Sequence, residues 1–267
     1  MEGQVIEAPA TATASLALPQ VRFSHLRAYG RSAMHGRLAR TTEMEPTAAM
    51  QLGSAVHALV LNTHNVIAYP GAVRRGKEWE AFKAAQNPKS IILSASEYEK
   101  ALGMTAAIVA SEVAKPYLQG VCEETLEFPW AYLRCRATPD VRAKKWVTEL
   151  KTASTSDPAR FQWHALRMHY HAQMMMQMMA CDYKDYAEVE DAYIVCVESA
   201  EPYPVTVFKL TTRALDAGFK LLTLWAERLR NCELSNEFPA YSQAVVELDV
   251  PDDVELEFGE LTEEVTA

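Results

Sequence analysis

Pro139-Asp140-Val141-Arg142-Ala143-Lys144-Lys145-Trp146-Val147-Thr148-Glu149-Leu150-Lys151 is the stretch of this 267-residue chain that decides its fold. Apolar and β-branched residues stand on either side of the basic turn Arg142-Ala143-Lys144-Lys145, so the segment reads as two strands joined by a short connection. Alternate side chains share one face of a strand, so Glu149 and Lys151 project together while Leu150 turns into the core. Pairing across the turn brings Asp140 beside Glu149. Two carboxylates at a strand pair offer hard oxygen ligands to Mg²⁺ or Mn²⁺, and the outward carbonyl of Leu150 adds a third. A lysine ammonium next to them orients a water and steadies charge developing on a phosphate. This set of groups suits metal-assisted phosphodiester hydrolysis, in which water is activated and the leaving oxygen neutralised.

Working outward, Thr125 to Arg136 contains Leu, Phe, Trp, Tyr and Cys in partial alternation, which with the two strands above predicts a three-stranded meander. Downstream, Pro158 suits the first turn of a helix that runs to Cys181. Ala192–Val197 and Val205–Leu210 read as further strands and Thr212–Asn231 as an amphipathic helix. Upstream, Ser24 is a candidate cap for a short helix through Ala28, and helices are expected over Thr47–Leu61, with His57 in its middle, and over Lys77–Gln86. Ser94-Ala95-Ser96-Glu97 has the spacing of a capping box opening a helix to Tyr117. The order of elements predicts an α/β fold with a central mixed β-sheet flanked by helices. Residues 1–20, rich in Ala, Thr and Pro, are expected to be a disordered leader, residues 21–250 one domain, and residues 251–267 an acidic disordered tail. No internal repeat is present.

Composition narrows the class. The five cysteines are widely spaced and form no CxxC pair, which argues against a disulfide scaffold and fits a reducing cytoplasm. No Lys or Arg precedes Arg22, and no apolar run approaches the length of a bilayer span, so neither a signal peptide nor a membrane segment is expected. The net charge of −9 is unevenly distributed: 26 basic against 24 acidic side chains up to Arg230 leave the body at +2, while residues 231–267 carry −11. An acidic end masks a near-neutral body, so total charge does not exclude a nucleic-acid partner.

The residues resemble the PD-(D/E)xK nuclease superfamily and, within it, the RecE-type exonucleases. Gly53-Ser54-Ala55-Val56-His57 is similar to the G-x-x-x-H helix of that group, and Cys135-Arg136-Ala137-Thr138-Pro139-Asp140 to its C-R-x-R-P-D strand. Glu149-Leu150-Lys151-Thr152 resembles its D-x-K-T segment, Tyr170-His171-Ala172-Gln173 its Y-x-x-Q helix, and Phe238-Pro239-Ala240-Tyr241-Ser242 its closing aromatic segment. The resemblance implies a restriction-endonuclease-like core in which Asp140 and Glu149 hold Mg²⁺, His57 completes a metal shell, and Lys151 positions the attacking water. Gln173, Tyr170, Arg136 and Thr152 would contact substrate. The family's upstream acidic residue corresponds to Glu124 or Glu127, with Glu124 preferred. By the same resemblance the substrate is linear double-stranded DNA, degraded from the 5′ end to leave 3′ single strands for homologous recombination. A homo-oligomeric ring, a single-strand annealing partner and the cytoplasm of a bacterial or phage-infected cell are implied with it.

Departures and plainer explanations stand beside these assignments. The family helix reads Q-x-x-x-Y, whereas Gln173 is followed by Gln177, and Thr138 replaces a basic residue of the C-R-x-R-P-D strand. A histidine on an apolar helix is ordinarily a hydrogen-bonded core residue; the order of motifs favours a ligand role for His57. Trp163, Tyr170, Gln173 and Gln177 share a face of the helix expected from Pro158 to Cys181, which reads equally as an ordinary polar helix edge. The methionines from Met174 to Met179 read as adaptable core filler. Arg142, Lys144 and Lys145 suit either a solvated turn or a phosphate-tracking patch, and His164, His169 and His171 are assigned no metal. A structure-specific or restriction-type endonuclease, and a non-catalytic DNA-binding module, are the competing functions.

Overall fold

The structure, a computed structural model, describes residues 19–185, 189–242 and 244–249. The chain opens with β1 (Gln20–Arg22), α1 (Phe23–Arg31), α2 (Ala33–Thr41) and α3 (Ala48–Leu61). Then come β2 (Val66–Tyr69), α4 (Gly76–Ala84), β3 (Ile91–Ser94) and α5 (Ala95–Ala110), followed by a 3₁₀ turn at Lys115–Leu118. The β-rich middle comprises β4 (Val121–Cys122), β5 (Leu126–Trp130), β6 (Leu133–Ala137), β7 (Val141–Arg142) and β8 (Trp146–Ala153). It leads to α6 (Pro158–Arg167), α7 (Tyr170–Asp185), β9 (Asp191–Glu198), β10 (Val205–Lys209) and α8 (Thr212–Ser235).

The central sheet has the order β10-β9-β8-β7-β4, with β8 and β9 parallel and the other neighbours antiparallel. This is the expected mixed sheet flanked by helices. β9 is apolar on both faces through its middle, as a strand covered on both sides requires, whereas β8 carries Glu149 and Lys151 on the same face as Val147. Val147, Ala192, Ile194 and Cys196 face a core shared with α1, α7 and α8, while Leu150, Val195 and Val197 face a second core built with α3 and α5. Gly218 of α8 lies against the His171 carbonyl, where a Cβ would come within 2.5 Å, so the close seating of α8 on α7 depends on that residue lacking a side chain.

Several expectations are corrected. The three-stranded meander does not form, because β5 and β6 belong to a separate sheet, β1-β6-β5. Between β6 and β7 stands Pro139, which has no N–H to continue a ladder, and the chain changes sheet there. The single helix from Pro158 to Cys181 is two helices, broken at His169, whose φ of 58° is left-handed. The break parts Trp163, 67 % exposed on α6, from the Tyr170–Gln177 face of α7. Ser24 lies inside α1, whose N-cap position is Arg22. The helix opened at Ser94 stops at Ala110, although its capping box is present as expected. The parallel pair β2-β3 and helix α2 lack sequence signals strong enough to announce them. Gln20 opens β1, while the leader expected at 1–20 falls, up to residue 18, outside the described residues, as does the tail at 251–267.

Candidate active site

Asp140 sits at the sheet change just before β7. The β7–β8 register, Val141 opposite Thr148, ends there, so Asp140 stands just beyond the pairing on the side of Glu149. β7 has therefore ended where Leu150 begins, and the Leu150 N–H, with no strand partner there, donates to Asp140 Oδ2 at 2.6 Å. In a strand the N–H and C=O of one residue point to the same edge, so the Leu150 carbonyl faces this open edge as well. Both carboxylates are buried: Asp140 is 8 % exposed and Glu149 5 %.

A helix closes each side of that edge. Gly53 brings α3 against β8, where a Cβ would stand 3.1 Å from Thr152 Oγ1. One turn on, His57 reaches Asp140, with Nδ1 3.2 Å from Oδ1. The G-x-x-x-H spacing thus has a mechanical meaning: the glycine admits the helix and the histidine uses the approach. From the other side, Gln173 Nε2 on α7 donates to Glu149 Oε1 at 2.5 Å, and Gln177 Nε2 donates to Glu149 Oε2 at 2.6 Å. Lys151 Nζ donates to Glu149 Oε1 at 2.6 Å and to Gln173 Oε1 at 3.2 Å, and it lies 4.7 Å from the centre of the Tyr170 ring.

The charges support one another. Burial opposes ionisation of Asp140, yet the adjoining His57, the Lys151 ammonium and the Leu150 N–H together hold its carboxyl below the usual range. Burial likewise pulls His57 down, but Asp140 and then Glu149 outweigh it and the imidazole is shifted up. Lys151 behaves the same way: desolvation lowers it, while Glu149 and Asp140 raise it above an ordinary lysine. His57 and Lys151 thus favour the charged form of Asp140, and Asp140 favours the charged form of both in return.

The structure brings together His57, Asp140, Glu149, Leu150, Lys151, Tyr170 and Gln173, and places Thr152 under α3. It does not bring in Glu124, whose carboxylate pairs with Arg142 and with Lys184, the latter at 3.5 Å. Nor does Arg136 join, standing on the exposed side of β6 opposite Glu127. Glu127 is held on that sheet by Gln20 and Arg134. Arg142 is spent on Glu124 and Lys145 on Glu190, 2.6 Å away, so the basic turn is largely paired.

Sequence reasoning misses two residues. Gln177, noted as a departure from a family pattern and as sharing a helix face with Tyr170 and Gln173 but given no role, is 3 % exposed and a direct partner of Glu149; its spacing of four from Gln173 is the available signal. Glu123 has a left-handed φ of 49° and donates its N–H to the Asp140 carbonyl at 3.2 Å, with its carboxylate 3.7 Å from His64 Nδ1. Nothing local distinguishes it from Glu124.

Among the described residues no three His, Cys, Asp or Glu side chains converge as a ready-made metal cage. Mg²⁺ does not require one, being held commonly by one or two carboxylates, water and substrate phosphate. Two ionisable carboxylates flanking a strand carbonyl are a donor set that fits such an ion.

A mixed sheet whose broken edge carries Asp140, Glu149 and Lys151 between two helices defines the PD-(D/E)xK nuclease fold. Over residues 23–248 the sequence matches the family described as "PDDEXK-like domain of unknown function (DUF3799)", and the chain belongs to that family. No curated protein matches it. Among solved structures, a Eubacterium rectale protein designated "Putative exonuclease" superposes with a TM-score of 0.62 at 12 % identity, covering 96 % of this chain and 100 % of that one. LHK-Exo in complex with dAMP gives 0.32 at 14 % identity, over 70 % of this chain and 94 % of its own. SSO0001 gives 0.28 at 14 % identity, over 65 % and 84 %.

Proposed function

We propose that the chain is a metal-dependent DNA exonuclease that degrades linear double-stranded DNA from its ends, working 5′ to 3′ and leaving 3′ single strands for homologous recombination. The observation that carries the reading is the Asp140–Glu149–Lys151 array at the open end of β7, because binding DNA alone calls for no buried carboxylate pair beside phosphate. Asp140, Glu149 and the Leu150 carbonyl would hold Mg²⁺ or, in its place, Mn²⁺, with His57 beside Asp140. When bound, such a cation lowers the pKa of water and neutralises charge on the leaving oxygen. Lys151, held by Glu149 and Gln173, orients the attacking water and meets charge on the phosphate. Gln173 and Gln177 fix the Glu149 carboxylate, so the metal-facing oxygens need no reorganisation. Polarity, a homo-oligomeric ring and a single-strand annealing partner rest on the sequence resemblance to RecE-type enzymes.

The test uses 5′-labelled and 3′-labelled linear duplexes and a covalently closed circle, each with Mg²⁺, Mn²⁺ or EDTA. Release of 5′-labelled mononucleotide from the linear duplex, with the circle intact, is expected. Cutting of the circle would replace this reading with an endonuclease. Binding without hydrolysis in any metal would leave a non-catalytic module. Light scattering with and without DNA tests the ring.

A further inference from the structure

A cavity of ≈ 560 Å³ opens beside the first turns of α3, bounded by α4 and the segment leading into β3. Its size suits a small ligand or one unit of a polymer, since such sites span about 300–1,000 Å³. Arg74, Lys83, Trp79, Gln51 and Asn87 line it, and no Asp or Glu among the described residues does. The surrounding segment, residues 70–90, carries five Lys and Arg against two Glu, a local excess of +3 in a chain of net charge −9.

The lining is built and partly mobile in charge. Arg74 is fixed by Glu97, 2.9 Å away, and by the Ile92 carbonyl at 3.2 Å. Trp79 is braced edge-on by Tyr69, with ring centres 5.1 Å apart. Lys83 lies 5.7 Å from the indole centre and pairs with Glu80 at 2.8 Å. Both side chains of that pair are more than half exposed, so it is weak and exchangeable. An aromatic wall, amide hydrogen-bonding groups and a cation free to change partner match a nucleotide: a π-face for the base, polar groups for its edge, positive charge for its phosphate. An acidic peptide would leave the indole without a role.

We infer that this cavity takes one nucleotide of an unpaired strand, its base against Trp79 and its phosphate at Lys83. The inference rests on the DNA-nuclease reading in one respect, that the nucleotide belongs to a strand lying beside the catalytic edge. Gln51 in the cavity and His57 in the site share α3, six residues apart, which is about 9 Å of helix axis.

Fluorescence polarisation of a labelled 20-mer oligothymidylate in EDTA tests it without catalysis, using the full chain and the variants Trp79→Ala, Trp79→Phe and Lys83→Glu, with dTMP as competitor. Trp79→Ala should bind about tenfold more weakly, the usual effect of removing one stacking platform, while Trp79→Phe should stay within about threefold. Lys83→Glu should weaken binding several-fold and make the slope of log affinity against log salt shallower by about 0.7, the value for one phosphate of a single strand no longer neutralised. Circular dichroism checks folding; should Trp79→Ala fail to fold, the exposed Lys83→Glu decides. Displacement by millimolar dTMP would identify a free mononucleotide as the occupant and overturn the strand assignment. Oligonucleotide affinity within twofold of wild type in both folded Trp79→Ala and Lys83→Glu, or no measurable binding, would overturn the site itself. Trp79-dependent binding in a chain that cleaves no duplex would sink the nuclease reading and leave this site standing, whereas cleavage with Trp79-independent binding would sink the site alone.

Discussion

Replacing Lys151 by Met strips the buried Glu149 carboxylate of its counter-charge while keeping a side chain of similar length. The Lys151 and Glu149 side chains are 17 % and 7 % exposed and meet at 2.6 Å. Removing one partner of a buried pair costs about 3–5 kcal/mol. Gln173 and Gln177 still donate to Glu149, and Lys151 keeps some contact with water. The lower end, about 3 kcal/mol, is therefore expected, or about 6–12 °C in Tm for a chain of this size. Glu149→Gln should cost a comparable amount by orphaning the ammonium. In the double variant Lys151→Met/Glu149→Gln no buried charge is left uncompensated, so its loss should fall short of the sum of the singles by about 2 kcal/mol. Urea unfolding in EDTA, followed by tryptophan fluorescence and circular dichroism, measures all four proteins independently of catalysis. Single losses below about 1 kcal/mol, or strict additivity, would show that the pair is not a coupled element of the apo fold.

Mg²⁺ should raise the unfolding midpoint of the wild type by mass action, by about 2.7 kcal/mol at a hundred times its dissociation constant, and Asp140→Asn should abolish the rise; an equal rise in that variant would place the cation elsewhere. Asp140→Ala and Glu149→Ala should each lower single-turnover cleavage by several orders of magnitude, and a folded variant with near-wild-type turnover would refute the site. Burial pushes the Cys135 and Cys196 thiols up to about 12, so at pH 8 an alkylating reagent should spare both in the folded protein and modify them in urea; mass mapping of native modification at either would contradict their burial. Burial first, then Arg22 and Arg40, pull His25 down to about 4. The unfolded chain binds that proton first, so stability should fall as pH drops from about 6.5 to 4. An NMR titration of His25 with its midpoint near 6.5 would show the imidazole to be freely solvated.

The chemical core was legible because it depends on short-range geometry. The alternation of a strand placed Glu149 and Lys151 on one face, and a hairpin register set Asp140 just beyond the pairing on the side of Glu149. The G-x-x-x-H spacing is one helical turn, which is why Gly53 and His57 can act on neighbouring parts of one strand pair. The capping box at Ser94 is also wholly local, and it formed as the residues require.

What sequence could not decide was set by contacts between distant segments. β5 and β6 look like partners of β7 because strand-forming residues do not say which sheet they join; the β1 pairing and the Pro139 break decided that. A continuous helix through His169 satisfies every local preference, and only the packing of α7 against α8, with Gly218 pressed on the His171 carbonyl, accompanies the break. Glu123 and Glu124 are equivalent as letters; Arg142, eighteen residues on from Glu124, engaged one, and Asp140 met the backbone of the other. Gln177 became a site residue because α7 packs against β8 and brings its amide to the Glu149 carboxylate. Sequence by itself determined which groups could do the chemistry, through strand alternation and helical pitch. Tertiary structure chose which of them are desolvated beside one another, because burial and ion pairing are properties of the packed chain and of no single segment.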